Sequence, residues 1–355
     1  MTHKYFRPKD YDTFIGIDVD KSSFSFTVKD HSTMNKSKKV PANTESFYNY
    51  IQKTYPGKKI ICAYEAGPTG FHLHDYLTQK NVPCLVVSPL SIPKASNERV
   101  KNNRIDSDKI AQHLRSGELK SVRVPQGPYR ELRHLVKTRE NYSNNRKVAK
   151  QRIKALLLSA NLYQLLKDTE GKWSRSYINE LQDLQCSDAV RHSLDMLLMD
   201  LEYARKQTLA IHRLLKTFCK NHEEISNYMK YLQSVSGIGF ITAVSVLGKI
   251  GNPKRLRNVR ELAAFIGLVP TEYSTGDTIS KGSITHLGNK TLRFLLIEAS
   301  WIAIRHNAVL EKFYYRVKKR HHPRIAAKKA ITAVARKLTQ IIYCVLTQER
   351  MYVRC

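Results

Sequence analysis

The chain has 355 residues, 42% of them apolar, enough material for more than one hydrophobic core. Its 60 Lys and Arg against 30 Asp and Glu leave a net charge of +30, which favours a polyanionic partner, nucleic acid before membrane. No unbroken apolar span is long enough to cross a bilayer, the opening MTHKYFRPKDYDTF has no signal-peptide pattern, and the six cysteines (Cys62, Cys84, Cys186, Cys219, Cys344, Cys355) lack the C-x-x-C spacing of a zinc module or disulfide framework, so a reducing cytoplasm is expected.

TFIGID at 13–18 is an apolar run ending in an acid, and SFSFTV at 23–28 alternates like a neighbouring strand. KKIICAYEAGPTG repeats the theme, with an apolar run, Glu65, and a Gly-Pro-Thr-Gly turn into a helix predicted at 69–80. VPCLVVSP at 82–89 completes an α/β pattern, and residues 10–126 form the first predicted domain.

From Pro128 the texture becomes long helix. Between 128 and 154, nine basic residues, among them Arg130, Arg133, Lys137, Arg139, Arg146, Lys147 and Lys150, face two acids, Glu131 and Glu140. Solvated helix faces usually mix signs, so this one reads as tracking phosphates. Leu194, Leu197, Leu201, Ala204, Thr208, Ile211, Leu215 and Phe218 then alternate three and four apart like a coiled-coil seam, satisfied either by an antiparallel hairpin within the chain or by a second copy. Residues 127–225 are the predicted middle region.

The third region, 226–355, is mostly helical and holds 22 Lys and Arg against 6 acids. YLQSVSGIGFITAVSVLGKIG places Gly237 and Gly239 between two apolar helical segments, as in a helix-hairpin-helix whose backbone N–H groups hold a phosphate. In the last helix Ile325, Ile331, Val334, Leu338 and Ile342 sit at core spacing, with Lys328, Lys329, Arg336 and Lys337 alongside for phosphate.

Asp18, Glu65 and the acids of VKNNRIDSDKIAQHL come from separate elements. Carboxylates brought together repel unless a cation neutralises them, and oxygen-only ligands suit Mg²⁺ or Mn²⁺. Two such ions can activate an attacking oxygen and stabilise a leaving one in phosphodiester cleavage.

The ordered blocks IGID, YEAGPTG and an acidic helix start, followed by SxxGIG, AAFIGLVP, STG and GSITHLGNKTLR, resemble the DEDD-type insertion-sequence transposases. These are relatives of the Piv invertase and include bridge-RNA-guided recombinases. The resemblance covers roughly residues 12–345. It implies an RNase H-like, RuvC-like first domain, a coiled coil, and a C-terminal domain supplying a nucleophilic serine. Asp18 and Glu65 match the first two acids and Asp106 the fourth. Asn103 stands where the third is expected, its amide offering an oxygen but no charge; Asp108 is ranked below Asp106 because positions two apart do not share a helix face.

A hydroxyl attacking DNA must be accessible, must lose its proton, and needs cationic support at phosphorus. The turn YSTG offers Ser274, with Thr275 as the alternate since the family register falls there; Lys281, Lys290 and Arg293 are candidate cations. The expected protein is an RNA-guided transposase or site-specific recombinase, bacterial and nucleoid-associated. It acts on donor and target DNA as a dimer or tetramer, through a phosphoserine link, with a structured guide RNA from its own element. Two alternatives are a metal-dependent nuclease or Holliday-junction resolvase using the carboxylates alone, and a non-catalytic architectural protein.

Overall fold

The computed structural model describes residues 6–32, 35–89, 92, 103–166, 173–272, 281–285 and 287–353. The chain divides into two compact units, Met1–Val124 and Pro125–Cys355.

In the first unit, β1 (Thr13–Val19), β2 (Ser23–Lys29) and β3 (Asn35–Pro41) form an antiparallel meander. After α1 (Thr44–Thr54), strand β4 (Ile60–Glu65) pairs parallel to β1, and after α2 (His72–Gln79), β5 (Cys84–Val87) pairs parallel to β4. The sheet order is β3-β2-β1-β4-β5, and α3 (Asn103–Arg115) follows in the chain. Strand alternation divides the core in two. Ile15, Ile17, Cys62, Tyr64 and Val86 pack with Phe47 and Ile51 of α1 and Leu73 and Leu77 of α2. Phe14, Ile61, Ala63, Leu85 and Val87 pack on the other face with Ile110 and Leu114 of α3. Neither β3 nor α1 announced itself in the sequence pattern. NKSKKVP is a lysine-rich edge strand, a composition that guards an open edge and erases apolar alternation.

The second unit opens with α4 (Pro128–Ser159), α5 (Arg175–Asp183) and α6 (Asp188–Asn221). Leu132 and Val136 at the start of α4 share a core with Leu215 and Cys219 at the end of α6. Ile153 and Leu157 at its other end pack with Leu194, Leu198 and Leu201. The heptad seam is therefore filled by α4 of the same chain, as an antiparallel hairpin; Leu198 and Cys219 are buried where the spacing pointed to Leu197 and Phe218.

The chain continues through α7 (Glu223–Gln233), α8 (Phe240–Ile250), α9 (Val259–Ile266), the strands β6 (Pro270–Glu272) and β7 (Lys281–Ile284), α10 (Lys290–His306), α11 (Ala308–Lys318) and α12 (Pro323–Thr347). Leu232, Leu247, Leu262, Leu296 and Leu338 join the α4 and α6 residues in one core, so apolar packing runs unbroken across residue 225. By length and mean hydropathy α12 alone among the described residues could cross a membrane, yet half of its most apolar stretch is buried in the protein. Ile331, Val334, Leu338 and Ile342 face inward as their spacing indicated. Ile325 does not: it is 43% exposed, and Ala326 takes the buried position at the helix start.

Candidate active site and nucleic-acid interface

Asp18 stands one residue before the end of β1 and Glu65 is the last residue of β4. The two strands are parallel with Ile17 opposite Tyr64, so the next register step sets Asp18 beside Glu65, about 5 Å apart across the ladder. Ile17 and Tyr64 point to the α1 and α2 side, and alternation turns both carboxylates to the α3 side.

Helix α3 lies unusually close to the sheet there. A β-carbon on Gly16 would fall 2.2 Å from the Ala111 nitrogen and 2.3 Å from the Ser107 carbonyl oxygen, so only glycine lets the helix backbone settle on β1. Ser107 is fully buried, its hydroxyl 3.0 Å from that of Thr27 on β2. Since Ser107 and Ala111 cover Gly16 while Ile110 and Leu114 pack with Phe14, α3 runs antiparallel to β1 and its first turn overlies the strand end bearing Asp18. Asn103 and Asp106 occupy that turn, one helical step before Ser107 and Ile110 on the sheet-facing stripe. Sequence reasoning found the acids and missed Gly16, Ser107 and Ala111, the small residues that set them in place; the signal was a glycine inside a strand.

Asp108 belongs elsewhere. Its carboxylate pairs at 2.9 Å with the Lys29 ammonium, whose side chain is 6% exposed. Lys29 stands opposite Phe14, two pleats back from Asp18. Asp108 neutralises a buried cation rather than joining the other acids.

Among the described residues no three His, Cys, Asp or Glu side chains already converge as a metal cage. Two carboxylates side by side at the ends of adjacent strands nevertheless suit Mg²⁺, which is commonly held by one or two carboxylates with water and substrate phosphate completing its shell. Ser274 and Thr275 lie outside the described residues. They fall between β6 and β7, an antiparallel pair with Pro270 opposite Ile284 and Glu272 opposite Lys281.

The proposed phosphate contacts separate into two kinds. Lys137, Lys147, Lys290, Lys328 and Lys329 are exposed, and β7 carries the backbone of Lys281. Others are drawn into the fold. Arg130 donates through Nε to the Pro125 carbonyl at 2.8 Å, and Arg133 through Nη1 to the Lys249 carbonyl at 3.3 Å. Burial lowers the pKa of both Arg133 and Arg139, Glu140 opposing the shift in each case and Arg146 adding to it at Arg139. Glu140 itself is paired at 2.8 Å with Lys249. The Lys150 ammonium lies 4.9 Å over the Trp173 ring, and burial lowers its pKa with Arg146 and Lys154 adding repulsion. Arg293 binds three backbone carbonyls from Nη1, those of Gly267, Thr285 and Leu287. Gly237 has φ +85° and no room for a β-carbon, which would fall 2.2 Å from the Ala299 carbonyl oxygen of α10. Gly239 is the N-cap of α8 and nothing crowds it.

Residues 15–162 match a family model described as "Transposase", that of the DEDD transposases of the IS110 type, and residues 229–315 match the "Transposase IS116/IS110/IS902 family". The chain is 28% identical over 297 residues to a putative transposase, y4qE, of Sinorhizobium fredii, covering 82% of this chain and 71% of the relative. It is 27% identical over 282 residues to the transposase for insertion sequence element IS1111A of Coxiella burnetii, 77% of this chain and 74% of the relative. A shorter match, 30% over 131 residues, joins 36% of the chain to 40% of the pilin gene-inverting protein of Moraxella bovis.

Proposed function

The chain belongs to the DEDD-type insertion-sequence transposases, enzymes that cut and rejoin DNA, and from that premise we propose that Asp18, Glu65 and Asp106 hold a divalent cation at the scissile phosphate while Ser274, or Thr275, attacks phosphorus. The observation that carries this reading is the register placing Asp18 beside Glu65 at the ends of parallel strands, under the helix turn that bears Asp106. The strand order β3-β2-β1-β4-β5, antiparallel on one side of β1 and parallel on the other, supports an RNase H-like, RuvC-like reading of the first unit.

Mg²⁺ or Mn²⁺ there would supply positive charge to the phosphoryl and leaving oxygens. The carboxylates would position the phosphodiester only by way of a cation that they hold, since anion and anion repel, and the Asn103 amide would add an oxygen without adding charge. Attack forms an oxygen–phosphorus bond from the side chain and breaks one to the departing nucleotide, whose oxygen takes up a proton. The phosphoester retains the energy needed for rejoining to a second strand. Family membership as an enzyme sets aside the non-catalytic architectural reading.

Donor and target DNA, and a structured RNA from the same element as guide, account for the +30 charge. Exposed Lys137, Lys147, Lys290, Lys328 and Lys329, together with Lys281, are the residues assigned to strand contacts, in a dimer or tetramer acting at the bacterial nucleoid. Residues 127–225 and 226–355 keep distinct roles in this scheme, the basic hairpin for strand contacts and the C-terminal region for the hydroxyl.

The test is a labelled DNA substrate incubated with protein, Mg²⁺ and co-purified RNA. A covalent protein–DNA adduct lost in Ser274→Ala establishes the serine; loss in Thr275→Ala alone moves the assignment by one residue. The DEDD acid set by itself suggests a second, nuclease-like reading, in which cleavage needs the carboxylates and survives removal of both hydroxyls.

A further inference from the structure

Only one face of the five-stranded sheet carries the acids, and the strand register fixes what shares their row. Asp18 stands opposite Ser25 on β2, and Ser25 opposite Lys39 on β3. On the other side Glu65 stands opposite Val87 on β5. With Asp18 set beside Glu65 by the pairing of β1 and β4, one row crosses the whole sheet as Lys39, Ser25, Asp18, Glu65 and Val87. Residues paired across neighbouring strands present their side chains to the same face, so Lys39 belongs to the face of the two carboxylates. Contacts at both ends of the row agree. Ser37, one pleat back on β3, has its hydroxyl 3.0 Å from that of Thr27, which is itself 3.0 Å from the Ser107 hydroxyl of α3. Val87 packs in the core on the α3 side.

The other lysines of β3 lie on the opposite face. Lys36 and Lys38 pair with Val28 and Phe26, which pack toward α1 and α2, and the Lys38 ammonium lies 4.0 Å over the Tyr50 ring. Lys39 is exposed, on the edge strand of the sheet, two strand spacings or roughly 10 Å from Asp18. Protection of an open edge accounts for a lysine at any of these positions, but not for one set in the row of the acids. Two carboxylates repel a polyanion, and a cation held between them offsets that at a single phosphate. A strand laid along the row past Asp18 crosses uncharged Ser25 and reaches Lys39, whose flexible four-carbon stem carries its ammonium over the edge of the face.

We propose that Lys39 is a substrate-positioning residue, its ammonium donating to a non-bridging oxygen of a DNA phosphate that neighbours the scissile one. This rests on the reading of Asp18, Glu65 and Asp106 as the acids at the scissile phosphate. It adds the direction in which the strand leaves them, toward the β3 edge, through a contact that fixes register without reading bases.

Full-length variants are compared on the labelled DNA substrate, first by fluorescence anisotropy in EDTA. Lys39→Ala lowers the salt slope of DNA affinity by about one, while Lys39→Arg and Lys36→Ala, the latter on the opposite face, keep the wild-type slope. All three melt with the wild type. In single-turnover cleavage with Mg²⁺ and co-purified RNA, Lys39→Ala slows the cut on the order of tenfold, the scale of a hydrogen bond between charged groups. Neutral methylphosphonates are then placed singly at the phosphates beside the mapped cut. One of them slows the wild type by a similar factor and adds nothing to the loss in Lys39→Ala, the non-additivity expected of two partners in one contact. Additive losses at every neighbouring phosphate overturn the proposal, as do wild-type cleavage by Lys39→Ala, an unchanged salt slope in that variant, or an equal fall in Lys36→Ala. Binding in EDTA involves neither metal nor cleavage, so a lowered slope in Lys39→Ala stands even where Asp18→Asn still cuts, a result that would sink the acid reading alone.

Discussion

Arg293 occupies the space in which Gly267 would carry a side chain. Its Nη1 lies 3.3 Å from the Gly267 carbonyl oxygen, and a β-carbon on Gly267 would fall 2.3 Å from that same nitrogen. The guanidinium also donates to the carbonyls of Thr285 and Leu287, so it pins both sides of the β6–β7 pair to the start of α10. A residue that the sequence offered as a phosphate contact is thus a clamp at the base of the segment bearing Ser274 and Thr275.

The clamp sets the first expectation. Arg293→Lys keeps the charge but loses the fork that reaches three carbonyls, so adduct formation falls sharply while the salt slope of DNA binding stays that of the wild type. A phosphate-contacting arginine would behave oppositely, Arg293→Ala lowering the slope by about one. Gly267→Ala, at φ +81° in the left-handed region, destabilises the protein by about 1–3 kcal/mol in thermal unfolding.

At the acid pair, Asp18→Asn and Glu65→Gln abolish cleavage with little loss of stability, because each relieves repulsion between neighbouring strand ends. Mg²⁺ raises the melting temperature of the wild type and leaves that of Asp18→Asn where EDTA has it. An equal rise in both proteins would place the ion elsewhere.

Asp108 and Asp106, two residues apart, separate cleanly by phenotype. Asp108→Asn leaves the buried Lys29 ammonium without its counter-charge and destabilises by about 1–3 kcal/mol, Asp108 being part exposed. Its folded fraction still cleaves. Asp106→Asn does the reverse, and denaturant titration alongside a single-turnover assay distinguishes them.

The Glu140–Lys249 pair, at 16% and 11% exposure, lies where α4 meets α8. Glu140→Ala strands Lys249 beside Arg133 and Arg139, whose burial already disfavours charge, and lowers stability by about 3–5 kcal/mol in urea unfolding. Replacement of exposed Lys147 by Ala changes stability by less than about 0.5 kcal/mol.

Thiol chemistry reports on the two cores. Burial pushes the Cys219 thiol from 9.0 up to about 11 and raises Cys62 and Cys84 as well. Iodoacetamide at pH 8 therefore labels Cys344 and Cys186 in the native protein and spares these three until unfolding. Because the folded pKa of Cys219 exceeds its unfolded value, the protonated thiol's contribution to stability is fully present below pH 9.0 and is lost progressively as pH rises toward about 11.

Much of this protein was legible in its sequence because the signals are local. Apolar runs ending in Asp18 and Glu65, the three-and-four spacing of α6 and the basic stretches of α4 and α12 each follow from residues a few positions apart. What local pattern cannot carry is the partner. The seam at 194–218 suited a second copy as well as its own chain, and the fold placed α4 against it. Arg133, Arg293 and Asp108 each had the charge for a ligand, and tertiary packing directed them instead to the Lys249 carbonyl, three hairpin carbonyls and Lys29. Composition fixed how much charge there is; long-range burial decided which charges remain for nucleic acid, because a charged group taken out of water must be satisfied inside the protein before it can serve anything outside.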